Sequence, residues 1–387
     1  MFNQIKEITL MNIRNLPSRL GSSSVIVVGI AGVVAVLTGL LSMAVGFSKA
    51  LEGAGRDDRA IIMRTGATSE MNGNMTPEQR AILKAMDGIE LGSAEIYAVA
   101  AIEKLGADIT ANVVVRGVEP TAFEIRDEVR VIEGRAFAPG RAEIIAGVKA
   151  ASQFAGLNVG DLVPVRGQAW EVVGHFTAEG SALEGEIWAD LDTVSAAFRR
   201  DGVSSTMRVQ LSSPEDAARL TAELQNDPRF ELMVQSEKEF YAGQSEDRTA
   251  LINGFGVSVG IIMAIGAIFA ALNTMYSAVS SRTVEIATLR ALGFGSLPVV
   301  VSVLVEALTL ALLGGLIGGG LVWLVFDGYT ASTLNNASFS QVAFDFAVTP
   351  ELLQMGLTWA LLLGFIGGLF PAIRAARLPI TTALRGE

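Results

Sequence analysis

Ser281-Arg282-Thr283-Val284-Glu285-Ile286-Ala287-Thr288-Leu289-Arg290-Ala291-Leu292-Gly293-Phe294 is a charged island in an otherwise apolar stretch of chain. Before it, 33 uncharged residues separate Arg248 from Arg282; after it, only Glu306 interrupts the run from Arg290 to Asp327. A bilayer span needs roughly 20 apolar residues at about 1.5 Å rise each, so both flanks are long enough to cross. The island is therefore a short loop between two membrane helices, the first of which projects beyond the lipid. Within it, charged and apolar residues alternate at helical spacing. Ile286, Leu289 and Gly293 share one face, while Arg282, Glu285 and Arg290 lie largely elsewhere. Gly293 and Gly295 stop this short helix before Pro298 opens the next span.

Two further runs cross as well: 29 uncharged residues between Arg19 and Lys49, and 22 between Glu351 and Arg374. The first exceeds the roughly 7–15 apolar residues of a secretory signal, and three later spans need an even-numbered partner, so it reads as a retained anchor. Lys and Arg in short flanking segments stay cytoplasmic. Lys6, Arg14 and Arg19 precede the first span, Arg282 and Arg290 join the second to the third, and Arg374, Arg377 and Arg385 follow the fourth. All three sets fall on one side, which places both termini in the cytoplasm and the large intervening domain outside. The resulting division is a cytoplasmic amphipathic segment 1–20, spans 21–48, 249–280 (with a stalk), 298–326 and 350–372, an outer domain 49–248, a cytoplasmic helix or loop 281–297, an outer loop 327–349 and a tail 373–387.

Only 18% of the 387 residues are charged and the mean hydropathy is +0.45, against about 25% charged in soluble domains. Residues 51–250 nevertheless hold 20 Lys+Arg and 33 Asp+Glu, leaving 9 and 7 for the rest. The net charge of −11 thus belongs to an acidic outer module. Such a surface excludes nucleic acid, which needs basic residues to neutralise phosphates. The chain has no cysteine and one histidine, which removes thiol chemistry, disulfides and His/Cys metal centres. His175, in an alternating stretch without an obvious partner, reads as structural, and the many carboxylates read as a solvated surface.

The outer domain mixes α and β patterns. A helix near Pro77–Met86 precedes strands near Glu95–Lys104 and Ala111–Val118. A strand–helix–strand unit runs Met207–Leu211, Pro214–Asn226 and Phe230–Val234, with Ser213 as N-cap and Pro214 at N1. Residues 130–190 are short strands punctuated by glycine, a β-rich insert. Asn74-Met75-Thr76 and Asn336-Ala337-Ser338 match glycosylation acceptors, a pattern frequent by chance.

In the membrane part, Glu306 is the one ionisable residue, suited either to a helix interface or to a functional role; no proton relay can be drawn from it, which argues against an ion-driven transporter. Small residues form stripes: Ala31, Ala35 and Gly39; Gly256, Gly260 and Ala264; Gly314 with Gly318 and Gly315 with Gly319. They let helices approach closely, within one subunit or between two. Gly367, Gly368 and Pro371 are expected to bend or end the fourth helix. The 281–293 helix is either an interfacial anchor or a knob for a cytosolic partner.

The order of these motifs resembles the permease of the MacB/FtsX/LolC-like ABC transporter family, of the four-span mechanotransmission type. The resemblance rests on Asn12-Ile13-Arg14-Asn15-Leu16 before span one, Asn273-Thr274-Met275 followed by the charged island, Glu306-Ala307 with Gly314-Gly315-Leu316-Ile317-Gly318, and Phe370-Pro371-Ala372-Ile373-Arg374-Ala375-Ala376-Arg377-Leu378 through Ala383-Leu384-Arg385. Val115-Arg116-Gly117-Val118 and Gly134-Arg135-Ala136-Phe137 match more loosely. Pro17-Ser18-Arg19-Leu20-Gly21 departs from the family's Arg-Thr-containing lead-in.

The resemblance implies an α-helical membrane protein with four transmembrane helices and an α+β periplasmic domain. That domain would have a porter-like subdomain (residues 50–118 and 204–245) and a β-rich, sabre-like insert (about 119–203). It turns the island into a coupling helix, with Arg282, Glu285, Ile286, Leu289, Arg290 and Gly293 seated against an ATPase. A GxxxxGK[ST] motif is absent, so the chain binds no cofactor itself, and ATP and Mg belong to a partner. The implied partners are a cytosolic ABC ATPase dimer, a second permease copy or paralogue, a periplasmic adaptor with an outer-membrane channel, and the lipid bilayer of the inner membrane. Export or extraction of a substrate is the first functional expectation. A transmitter controlling a cell-wall hydrolase or sensing a peptide is the second. A receptor with its own signalling domain is disfavoured, since about 14 residues follow the last span.

Overall fold

The computed structural model describes residues 2–14, 20–67, 69–227, 229–335, 340–377 and 379. Residues Asn15–Arg19, the Asn336-Ala337-Ser338 acceptor, Leu378 and the Ala383-Leu384-Arg385 ending lie outside them. The chain runs α1 (Phe2–Arg14), α2 (Leu20–Glu52), β1 (Arg59–Arg64), α3 (Pro77–Lys84), β2 (Ile89–Glu103), β3 (Thr110–Val118), α4 (Ala122–Ile125), β4 (Arg130–Gly134) and β5 (Glu143–Gly147). It continues through α5 (Val148–Gln153), β6 (Leu162–Val165), β7 (Gln168–Thr177), β8 (Glu186–Asp190), α6 (Leu191–Ala197), β9 (Thr206–Leu211), α7 (Asp216–Asn226) and β10 (Leu232–Ser236). Last come α8 (Glu237–Ser281), α9 (Thr283–Ala291), α10 (Ser296–Phe326), β11 (Thr330–Asn335), β12 (Ser340–Asp345) and α11 (Pro350–Arg377).

Two compact units result: a helical one (residues 1–45, 250–329 and 347–387) and an α/β one (46–249 and 330–346). Four helices, α2, α8, α10 and α11, are long and apolar enough to cross a membrane. α8 is one uninterrupted 45-residue helix whose first turns belong to the α/β unit and whose remainder belongs to the helical unit.

In the α/β unit, ten strands form one sheet in the order β10-β1-β9-β2-β3-β8-β5-β7-β4, with β6 pairing β7. Ladders are antiparallel except β3–β8 and β5–β7, which are parallel. One apolar core lies under α3 and α7, around Ile62, Leu83, Val209, Leu220 and Leu224. A second gathers Ile96, Val115, Ile144, Trp170, Ile187 and Val194. The glycine-punctuated insert shares this second core with β2 and β3, and the β3–β8 ladder continues the sheet into it.

Two local expectations are corrected. The Ser213–Pro214 helix start gives way to Glu215 as N-cap, with Asp216 the first helical residue; the Ser213 hydroxyl bonds to the Glu215 carboxylate and accepts from Glu215 N–H at 3.4 Å instead. Residues 327–349, read as a loop, contain the β11–β12 hairpin. It is held by a Tyr97 Oη–Ser340 Oγ hydrogen bond of 3.1 Å and an ion pair from Lys149 Nζ to Asp345 of 3.0 Å.

The helical unit is built on close backbone approach. A methyl placed on Gly315 would sit 2.8 Å from Ala360 Cβ, one on Gly368 2.5 Å from Ala307 Cβ, and one on Gly367 2.7 Å from Ala271 Cβ. These glycines thus bring α10 and α8 against α11 rather than weakening it. Pro371 does not end the helix, the second of the two expectations for it: α11 continues through it to Arg377. Proline removes one backbone donor, and the packing around Ala372 and Ala375, both fully buried, holds the helix beyond it.

Candidate functional site

α9 is bounded by two breaks. At its start, Arg282 has φ −107° and ψ 13°, so a single non-helical residue separates it from α8. At its end, Gly293 takes φ +97°. The Phe294 N–H reaches Leu289 O at 3.1 Å and the Gly293 N–H reaches Arg290 O at 3.1 Å. This is a Schellman termination, which favours glycine because an added Cβ would be strained there. Gly295 then caps α10, extended at φ −67° and ψ 163°.

The two faces of α9 differ from the sequence expectation. Ile286 and Ala287 are buried, Ile286 in a core that includes Val279 of α8 and Val299 and Val303 of α10. Leu289 and Arg290 are half-buried, and Leu289 lines a cleft with Ile8 and Met11 of α1 and Val299 of α10. The exposed apolar residues are Val284 and Leu292, 54% and 73% exposed, with Glu285 exposed beside them. The face α9 presents is thus one step round the helix from the Ile286–Leu289 face.

Arg282 is corrected more sharply. Its guanidinium does not lie on the loop surface; it donates Nη1–H and Nη2–H to the two oxygens of Glu306 at 2.9 and 2.8 Å. Both side chains are buried, at 6% and 5% exposure. A charge buried among apolar helices needs a paired counter-charge, and Glu306 draws Arg282 inward, away from the loop surface. Glu306 is accordingly a helix-interface residue.

The small-residue stripes divide. A methyl on Gly260 would meet Leu37 at 2.9 Å, one on Gly256 would meet Leu40 at 3.3 Å, and Ala264 is buried with Val33 and Leu363. Gly318 lies against the Ala31 backbone, and a methyl on Gly314 would stand 2.9 Å from Val27 O. These positions serve packing within the chain. Ala35 and Gly39 are half-buried, and the space a Gly39 Cβ would fill is open.

Sequence reasoning missed the charged interior of the α/β unit. Arg116, on β3, donates to Glu186 at 2.7 Å from both Nε and Nη2, to Glu70 at 2.7 Å and to Glu95 at 2.8 Å. Arg126 reaches Glu95 at 2.6 Å. Arg208 reaches Glu70 at 2.9 Å and Glu237, the first residue of α8, at 2.8 Å. Arg59 forks onto Glu128 at 2.8 Å twice. All nine are buried, so five of the carboxylates read as solvated surface belong to an internal network. Burial alone would raise the Glu70 carboxyl, but the Arg116 and Arg208 charges outweigh it and hold it at about 2. Glu95 is lowered likewise, burial being outweighed by Arg126, Arg116 and Arg208. His175, expected to be partnerless, has Nδ1 2.8 Å from Glu133 Oε2 and Nε2 2.7 Å from Leu157 O.

Residues 23–227 match the family described as the MacB-like periplasmic core domain, and residues 257–380 match the FtsX-like permease C-terminal family. The chain belongs to the MacB/FtsX/LolC-like family of ABC transporter permeases. A lipoprotein-releasing system transmembrane protein, LolC of Xylella fastidiosa, is 25% identical to this permease over 93% of each chain. The ABC transporter permease YknZ of Bacillus subtilis is 26% identical, over 59% of this chain and 57% of its own length. The macrolide export ATP-binding/permease protein MacB of Hyphomonas neptunium is 27% identical, over 59% of this chain and 35% of its own. Among solved structures, the extracellular domain of YknZ matches with a TM-score of 0.37 at 19% identity, covering 46% of this permease and all of that domain.

Proposed function

We propose that this permease couples ATP hydrolysis on a separate ABC ATPase dimer to movement of its α/β unit, driving export or extraction of a substrate from the periplasm or outer leaflet. In this reading the chain is non-catalytic and lies in the inner membrane of a bacterial cell. Both termini and α9 face the cytoplasm, the α/β unit faces the periplasm, and a second permease subunit completes the assembly. The observation that carries the reading is the chain path at α9: a short helix with exposed Val284 and Leu292, one residue from a 45-residue helix that ends in the α/β unit. Apolar anchors flanked by charge on a short helix are what a groove on a partner recognises. The kinship with LolC and MacB favours transport as the output.

The test is copurification of an ABC ATPase, identified by its Walker motif, with the tagged full-length permease from its host membrane. Leu292→Asp is expected to remove the ATPase while leaving membrane insertion intact. Leu289→Asp is less discriminating, because Leu289 also packs against α1 and α10. An ATPase retained by Leu292→Asp, or none with the wild-type permease, overturns the reading.

A further inference from the structure

We infer that the Arg282–Glu306 pair is a positioning device that fixes the α8–α9 elbow to the flank of α10, so that a displacement of α9 moves both spans as one body. The inference rests on the coupling reading of α9. The elbow is a single non-helical residue, Arg282, where a push on α9 would otherwise be absorbed as bending. The local bonds at the elbow are Arg282 N–H to Val279 O at 3.1 Å, Ile286 N–H to Arg282 O at 2.9 Å and Thr283 Oγ1–H to Ser280 O at 2.8 Å, all between neighbours in sequence and none reaching α10. The Arg282 side chain supplies the restraint to α10. It anchors on Glu306, the eleventh residue of α10, about 15 Å along that helix from its start.

The bond is a fork, with two parallel N–H···O contacts of 2.9 and 2.8 Å, and so fixes orientation as well as distance. Net stability is a poor explanation for such a pair, since an apolar pair of similar volume in its place is often neutral or better. Arg282 Nε is also buried with no partner among the described residues, a cost that packing alone would not select. What the fork adds over an apolar pair is a defined angle between α9 and α10.

The chain has no cysteine, so nitroxide labels can be placed without background. Labels at Val284→Cys on α9 and Leu313→Cys on α10, both exposed, report the angle between the two helices in nanodiscs. The wild-type background should give one narrow distance distribution for the permease alone. R282M/E306L should remain monodisperse yet give a distribution at least twice as broad, and the swapped pair R282E/E306R should narrow it again. R282K, which keeps the charge and loses the fork, should fall between and serves if the apolar double variant misfolds. A wild-type width in R282M/E306L, or in R282K where that variant replaces it, overturns the inference. So does a broad α9–α10 distribution in the wild-type background. The widths are read on the permease alone, so failure of the ATPase to bind overturns the coupling reading and leaves this result separate.

Discussion

Replacing Arg116 by methionine isolates the charged interior of the α/β unit. The guanidinium is 1% exposed and serves three carboxylates at once. Removing one partner of a buried ion pair costs about 3–5 kcal/mol, because the remaining charge is left desolvated. Here the loss is unequal. Glu70 keeps Arg208 at 2.9 Å and Glu95 keeps Arg126 at 2.6 Å, whereas Glu186 retains only the Trp188 Nε1–H at 2.8 Å among the described residues. The expected cost is therefore near the lower end, about 3 kcal/mol. At about 2–4 °C per kcal/mol for a domain of this size, the unit should melt roughly 6–12 °C lower. Hydrogen exchange of the full-length permease, read on peptides covering β3 and β8, confines the measurement to the affected unit. R116M/E186L, which removes the orphaned charge together with its partner, should recover at least half of the loss. A change of less than about 1 kcal/mol in Arg116→Met would refute the reasoning, since it would mean water reaches Glu186 freely.

The Glu70 carboxyl, at about 2 in the folded state against 4.5, adds stability that is fully present above pH 4.5 and is lost as pH falls toward 2. The expected loss is roughly 3 kcal/mol, and a Glu70→Gln variant should lack that slope in acid unfolding. Gly318→Val drives a side chain into the Ala31 backbone and should cost about 1–3 kcal/mol by thermal unfolding in detergent. Gly39→Val, with open space around it, should stay within about 0.5 kcal/mol; a change in oligomer size there would move Gly39 to a subunit interface. Lys149→Met removes the contacts to Asp345 at 3.0 Å and Gly180 O at 2.7 Å, so exchange in the β11–β12 hairpin should accelerate at least tenfold, about 1.4 kcal/mol.

Long uncharged runs made the four spans legible, because lipid imposes length and composition on a single contiguous segment. Strand and helix pairs such as β9–α7 were legible for the same local reason. What the sequence could not order was charge that pairs over distance. Glu95 between Ala94 and Ile96, and Arg116 between Val115 and Gly117, stand in strands whose neighbours are buried on both faces of the sheet. A charged residue in a strand without polar alternation signals an internal partner, but the partner lies 21 to 70 positions away and is chosen by the sheet order. Arg282 misled in the opposite sense. Its place in a short loop suggested a surface cation, and Glu306 read alone suggested an isolated acid, although the two form one pair 24 residues apart.

The ends of α8 show why these pairs matter together. Glu237, its first residue, is fully buried and bound by Arg208; the residue after its last, Arg282, is buried and bound to Glu306. Between them the helix shows an exposed apolar face at Leu251, Phe255, Ile262 and Phe269. Apolar contacts along such a face tolerate sliding, because they are non-directional. Charge-assisted forks do not, since two donors fix both distance and angle. In the coupling proposed above, a helix held directionally at its two ends and loosely between them would transmit displacement along its axis while its sides remain free to shift. Weakening either end should therefore reduce transmission without unfolding α8. Arg208→Met and R282M/E306L are predicted to leave its helical content intact by circular dichroism while lowering ATP-dependent movement of the α/β unit.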